Sequence, residues 1–169
     1  MERLWAPWRL DYVQAPAADR CIFCLDDPAR DEERLVLYRG AHCFIIMNRF
    51  PYTNGHLMVA PFRHLADPGL LEPAEAAELH RLTVLCRDLL FRAFKPQGFN
   101  IGINLGAAAG AGITEHMHQH IVPRWIGDTN FMTAFADVRV IPQHLEATCR
   151  QFRQLLGELT GNLQNGQNP

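Results

Sequence analysis

Three histidines stand on alternate residues in the run His116-Met117-His118-Gln119-His120, which continues into Ile121-Val122-Pro123-Arg124. A period of two places side chains on one face of a β-strand. If this segment is a strand, it presents a row of imidazoles to one space. Histidine has an unperturbed pKa close to neutral pH, so such a row can supply a nucleophile, an acid, a base or a metal ligand. Length limits the combinations. His116 and His120 lie roughly 13 Å apart on a straight strand at about 3.3 Å per residue, whereas a metal ion binds imidazole nitrogen at about 2.0–2.1 Å. One ion cannot collect all three, so the histidines have different tasks, or some have none.

Other residues extend the chemistry. Cys21-Ile22-Phe23-Cys24 has the spacing of half a zinc site. Its missing ligands could come from His64 and His116. That would close a Cys₂His₂ site of the structural kind and leave His118 and His120 for chemistry. Free, half-buried cysteines are the plainer reading, and a redox pair is disfavoured because such pairs sit where a strand leads into a helix. His56 follows the turn residue Gly55, with Asn48-Arg49 on the turn's other side. Alone it reads as a buried histidine with satisfied hydrogen bonds; beside a histidine strand it reads as part of a site. Asn104 closes a strand pattern, as a site amide or as a turn cap. The loop from Gly106 to Gly112 can hold a phosphate through backbone N–H groups or serve as a flexible connection. His42, His80 and His144 have no chemical company in sequence. Trp5, Trp8 and Trp125 read as packing residues before base-stacking ones.

Five short strand patterns are available to position these groups, over 35–38, 43–47, 56–60, 99–104 and 117–123, with turns at Gly40 and at Pro51-Tyr52-Thr53-Asn54-Gly55. Pro73-Ala74-Glu75 opens an amphipathic helix running to Phe94, with Leu79, Leu82, Leu85 and Leu89 at helical spacing, and Lys95-Pro96-Gln97-Gly98 ends it. A final helix is predicted over 142–159. Strands joined by short turns around one long inserted helix predict an α+β domain on a mostly antiparallel five-stranded sheet. Neither an internal repeat nor an interdomain linker is present. Residues 1–161 therefore read as a single domain with an aromatic N-terminal arm over 1–20, and 162–169 as a disordered polar tail.

Composition excludes several classes. The 169 residues, 48% hydrophobic and 20% charged, are enough to bury roughly 70% of the unfolded surface. A formal net charge of −2 offers no electrostatic case for DNA or RNA. No apolar run approaches the roughly 20 residues of a membrane span, and the first residues do not resemble a signal peptide. Five cysteines, an odd number, suit a reducing cytoplasm better than a disulfide framework. Serine is absent, so serine nucleophiles are excluded. The single lysine, Lys95, precedes Pro96, which rules out a Gly-Lys-Ser/Thr phosphate loop.

The histidine run, preceded by Gly55-His56-Leu57-Met58-Val59-Ala60-Pro61, resembles the histidine triad nucleotide-binding family over about residues 21–132. Trp5-Ala6-Pro7-Trp8-Arg9, the segment from Gly98 to Gly106 and the segment from Pro123 to Phe131 resemble the branch of bacterial diadenosine tetraphosphate phosphorylases. The resemblance implies a homodimer whose two sheets join across the interface. It implies attack on the α-phosphate of a nucleotide by His118, with His120 contacting that phosphate and His56 supporting the catalytic imidazole. Asn48 falls where the family binds ribose, and Asn104 where it places an amide near the phosphates. Cys21, Cys24, His64 and His116 match the ligands of members that carry a structural zinc. No organic cofactor is implied. Where the family carries Gly-Gln-Ser/Thr, this chain has Gly110-Ala111-Gly112-Ile113-Thr114-Glu115. Gly112 and Thr114 are then the local phosphate candidates, and leaving-group stabilisation leans on backbone N–H groups.

A neutral imidazole is a competent nucleophile towards phosphorus, and the nucleotidyl-imidazole it forms is readily transferred. Water as acceptor makes a hydrolase; inorganic phosphate makes a phosphorylase. Two alternatives stay open from the residues alone. His118 and His120 with an outside carboxylate could hold a catalytic metal, or the domain could bind nucleotides without turning them over.

Overall fold

Every residue of β2 (Cys43–Met47) and β3 (Leu57–Pro61) is buried, which requires cover on both faces of the sheet they form. The computed structural model describes residues 21–128 and 143–164. The aromatic arm, Thr129-Asn130-Phe131 and the last residues of the tail lie outside them. With β1 (Val36–Arg39), β4 (Gly98–Ile103) and β5 (Gln119–Arg124), the strands make one sheet in the order β1-β2-β3-β5-β4. All neighbours are antiparallel. With the helices α1 (Pro73–Phe94) and α2 (Leu145–Gln164), this is the α+β architecture expected.

Side-chain alternation sorts the residues between two layers. Cys43, Ile45, Met47, Leu57, Val59 and Ile121 meet Leu79, Leu82, Cys86 and Leu89 of α1 and Phe152 and Leu156 of α2. Each fully buried leucine there contributes about 2 kcal/mol of hydrophobic stabilisation. The opposite face carries Val36, Phe44, Ile46, Met58 and Ala60, covered by Phe23. Both helices lie on the first face, so the second is left for the site. Among the described residues, no helix is long and apolar enough to cross a membrane.

Most boundaries shift by one to three residues from expectation, and two of the larger differences have a visible cause. β5 begins at Gln119, two residues later than its pattern, because the Met117 N–H donates to the Leu65 carbonyl at 2.7 Å outside the sheet ladder. The last helix continues to Gln164, into the stretch read as tail. Leu156 and Leu159 pack on the core, and that anchoring carries the helix past Gly157 and Gly161.

Two acidic residues of α1 hold neighbouring segments. Glu78 accepts hydrogen bonds from the backbone N–H groups of Ala41, His42 and Cys43, tying the β1–β2 turn to the helix. Gly40 makes this approach possible: a Cβ there would lie 2.7 Å from the Glu78 carboxylate. Glu75 accepts from Arg63 at 2.7 and 3.0 Å and from the Glu72 N–H at 2.7 Å, capping the first turn. Its hydrogen bonds to Arg63, then the one to the Glu72 backbone, hold its carboxyl down at about 2 against an ordinary 4.5. A depressed carboxylate adds stability above its unfolded value, and that stability is lost as pH falls through the folded value. Stability should therefore decline between pH 4.5 and about 2. Because Arg63 is half in water, Glu75→Gln should cost only about 1 kcal/mol at pH 7. Urea titrations should show a smaller acid-dependent decline in the variant; an equal decline would remove Glu75 as its source.

Candidate functional site

His56 immediately precedes β3 and shares a face with Met58 and Ala60. Met58 pairs with His120 on β5, so strand register brings two distant histidines together. Gly55 makes the entry to β3 possible. Its φ is +79°, and a Cβ would lie 2.9 Å from both Leu90 and Phe94 of α1, so a side chain there meets strain and a clash. His118 and His116 precede β5 yet keep the alternation. Met117 and Ile121 lie in the core beneath the helices, and Gln119 donates to Thr83 of α1 at 2.9 Å. The three histidines therefore share the other face, and all are buried.

Backbone groups decide which nitrogen of each imidazole carries the proton. The Tyr52 N–H can only donate, and it lies 3.1 Å from His56 Nδ1. His56 Nδ1 is thus an acceptor, with the Asn48 amide nitrogen 3.3 Å away, and the proton sits on Nε2. His56 Nε2 then donates to His120 Nδ1 at 2.9 Å. His120 must carry its own proton on Nε2, and among the described residues that atom is buried without a partner. A buried donor left unmade is costly, and an incoming acceptor would relieve that cost. His118 is arranged in the opposite sense. Its Nδ1–H donates to the His116 carbonyl at 2.9 Å, leaving the Nε2 lone pair unprotonated.

Burial keeps the row neutral. It lowers the pKa of His118 against the opposing pull of the bond to His116. Burial and then the neighbouring His118 bring His120 down to about 4. His116 is lowered chiefly by burial. The rings pack closely, with centroids 4.9 Å apart for His118 and His120 and 5.1 Å for His56 and His120.

His116 belongs to a second group. Its Nε2–H donates to the Pro61 carbonyl at 2.9 Å, which turns Nδ1 towards Cys21 Sγ at 3.5 Å and Cys24 Sγ at 3.9 Å. His64 Nδ1 lies 3.3 Å from Cys24 Sγ. Ligand atoms of Cys21, Cys24, His64 and His116 all lie within 4.8 Å of one another. Two thiols and two imidazole nitrogens are the donor set of a closed tetrahedral zinc site, and each imidazole can offer Nδ1. Among the described residues this is the one such cluster.

The remaining expected residues are placed less tightly. The Asn48 side chain lies against His56, and its carbonyl oxygen accepts from the Phe50 N–H at 2.9 Å. Asn104 follows Ile103, which pairs with Gln119, so the register sets it level with His118. The Thr114 hydroxyl donates to Glu115 at 3.0 Å. Gly112 lies in open space, where an added Cβ would meet nothing within 4 Å. Two aromatic residues escaped the sequence reading. Phe23 stacks on His118 at 4.5 Å between ring centroids, and Tyr52 lies 4.7 Å from His56 and 5.9 Å from His120. For Phe23 the available signal was its position between two candidate ligands.

This sheet, with its histidine row and Cys₂His₂ cluster, can be set beside known proteins. The HIT domain family matches residues 29–125, more than half of the chain, and the chain belongs to that family. It is 39% identical over 159 residues to a Mycobacterium tuberculosis protein named AP-4-A phosphorylase, a match covering 89% of this chain and 82% of the relative. A solved Zn-bound histidine triad family protein from Mycobacterium smegmatis superposes with a TM-score of 0.64 at 27% identity, covering 83% of this chain and 96% of that one. The fold also resembles that of the Plasmodium falciparum diadenosine triphosphate hydrolase, with a TM-score of 0.60 at 21% identity over 75% of this chain and 78% of that one.

Proposed function

We propose that this protein cleaves a nucleoside polyphosphate, with diadenosine tetraphosphate the favoured substrate, at its α-phosphate through a nucleotidyl-His118 intermediate. One observation carries the reading: an unprotonated His118 Nε2 stands beside the Nε2–H of His120, which has no partner among the described residues. The His118 lone pair forms a bond to the α-phosphorus. The bond from that phosphorus to the bridging oxygen breaks, and ATP leaves with the electron pair. His120 donates to a phosphoryl oxygen on which charge develops. Removing a donor of this kind costs about 10²–10³ in rate. His56 keeps His120 in the donating tautomer. Attack on the intermediate by inorganic phosphate gives ADP; attack by water gives AMP. The similarity to a protein named AP-4-A phosphorylase favours phosphate. Asn48 would contact ribose, and Asn104, Gly112 and Thr114 would line the phosphate path.

The catalytic-metal alternative is weakened by the same tautomers. His120 has Nδ1 engaged by His56 and a proton on Nε2, so neither nitrogen is available to an ion. We assign zinc instead to Cys21, Cys24, His64 and His116, where it would stabilise the fold in a reducing compartment such as the cytoplasm. We also assign a homodimer joined across β4, an edge of the sheet. The support is exposed Ile101 on that strand and exposed Phe91 on α1.

His118→Ala should lower turnover of diadenosine tetraphosphate by about 10⁴-fold or more while nucleotide binding and the thermal melt stay near wild type. Full activity in that variant would end the covalent scheme. Products from wild type in phosphate buffer should be ADP and ATP; AMP and ATP without regard to phosphate would make it a hydrolase. Metal analysis should find one zinc per chain that survives a weak chelator together with activity. Activity lost to the chelator and restored by added metal would favour the metallohydrolase. In sedimentation, Ile101→Arg should shift a wild-type dimer to monomer; a monomeric wild type would refute the dimer.

A further inference from the structure

We propose that Phe23 is a positioning residue for His118, and that it ties this imidazole to the Cys21, Cys24, His64 and His116 cluster. The inference rests on the reading of His118 as the attacking group. A nucleophilic imidazole attacks along the lone pair in its ring plane, so ring tilt matters as much as ring location. The hydrogen bond from Nδ1–H to the His116 carbonyl holds one edge of the ring and leaves the plane able to rock about that bond. The face of Phe23 supplies the missing constraint. The two rings stack with centroids 4.5 Å apart and planes 30° from parallel.

Phe23 is itself firmly held. It is 1% exposed, its ring lies 5.5 Å from that of His116, and it sits on the turn closed by the Cys24 N–H to the Cys21 carbonyl at 3.1 Å. Both supports of His118 therefore come from the cluster. His116 lends its carbonyl, and the cysteine pair carries the ring. A leucine at position 23 would fill much of the space but would present no plane. Phe44 packs in the same apolar layer and its ring meets those of Phe23 and Phe62. It is the natural control for a loss of packing alone.

The test compares Phe23→Leu and Phe44→Leu in the full-length, zinc-loaded protein, with Phe23→Met as the closer match in volume should the leucine variant fold poorly. One readout is steady-state kinetics on diadenosine tetraphosphate; the other is the side-chain ¹H–¹⁵N NMR spectrum of His118 at fixed pH. In the Phe23 variants kcat should fall by about ten- to a hundredfold with KM unchanged, and the His118 ring resonances should shift and broaden as the plane rocks, while the bond to the His116 carbonyl keeps one tautomer. Phe44→Leu should keep kcat and the wild-type His118 spectrum. Wild-type kcat and spectrum in the Phe23 variants, or an equal loss in Phe44→Leu, would overturn the assignment. If wild type turns over no nucleotide, the proposed function fails while the His118 spectrum still decides the role of Phe23. Stripping zinc and returning zinc alone should move the His118 resonances away and back. Resonances indifferent to zinc would overturn the tie to the cluster.

Discussion

Two backbone groups, the Tyr52 N–H and the His116 carbonyl, fix the protonation pattern on which the rest of the site depends. Neither can reverse its role. An amide N–H only donates and a carbonyl only accepts, so each sets the tautomer of the imidazole it meets. From Tyr52 the constraint passes through His56 to His120 and ends in a donor with no partner among the described residues. From His116 it passes to His118 and ends in a lone pair. Adjacent, chemically identical side chains thus end, one in a donor and the other in a lone pair, with no charged partner among the described residues. Burial reinforces the pattern by keeping the imidazoles neutral.

The scaffold exists to hold those two backbone groups in register. Pairing of β3 with β5 sets His56 against His120, and a slip of one residue would turn either histidine into the helix layer. Both helices occupy the opposite face, where they lock the strands through α1 leucines and α2 Phe152. Glu78 clamps the β1–β2 turn to α1, and Gly55 lets the chain turn tightly beneath Leu90 and Phe94. Packing on one side of the sheet therefore determines geometry on the other.

The histidine row is also divided. His116 points its Nδ1 at two thiols while lending its carbonyl to His118, so a single residue serves the candidate metal cluster and the imidazole beside it. Phe23 repeats that doubling from the cysteine side. This dual use explains why three equally spaced histidines do not share one ligand, as the strand length demanded.

Much of this was legible in the chain. The period-two histidines, Gly55-His56, the strand patterns and the amphipathic helix from Pro73 to Phe94 are local signals, and local signals survive without tertiary information. The same holds for Cys21-x-x-Cys24, whose spacing raised half a zinc site as one reading beside free cysteines. Position within the sheet was another matter. Nothing local says that Met58 pairs with His120, that Phe23 lies flat on His118, or that Tyr52 covers His56. Nor could composition foresee that α2 would run past Gly161, since its anchors Leu156 and Leu159 act through the core. The sequence by itself determined the residue types, their periodicity and the classes of chemistry excluded by absent serine and a single lysine. Only the tertiary structure decided that His120 presents a proton on Nε2, because its tautomer is chosen by His56, a partner far away in sequence.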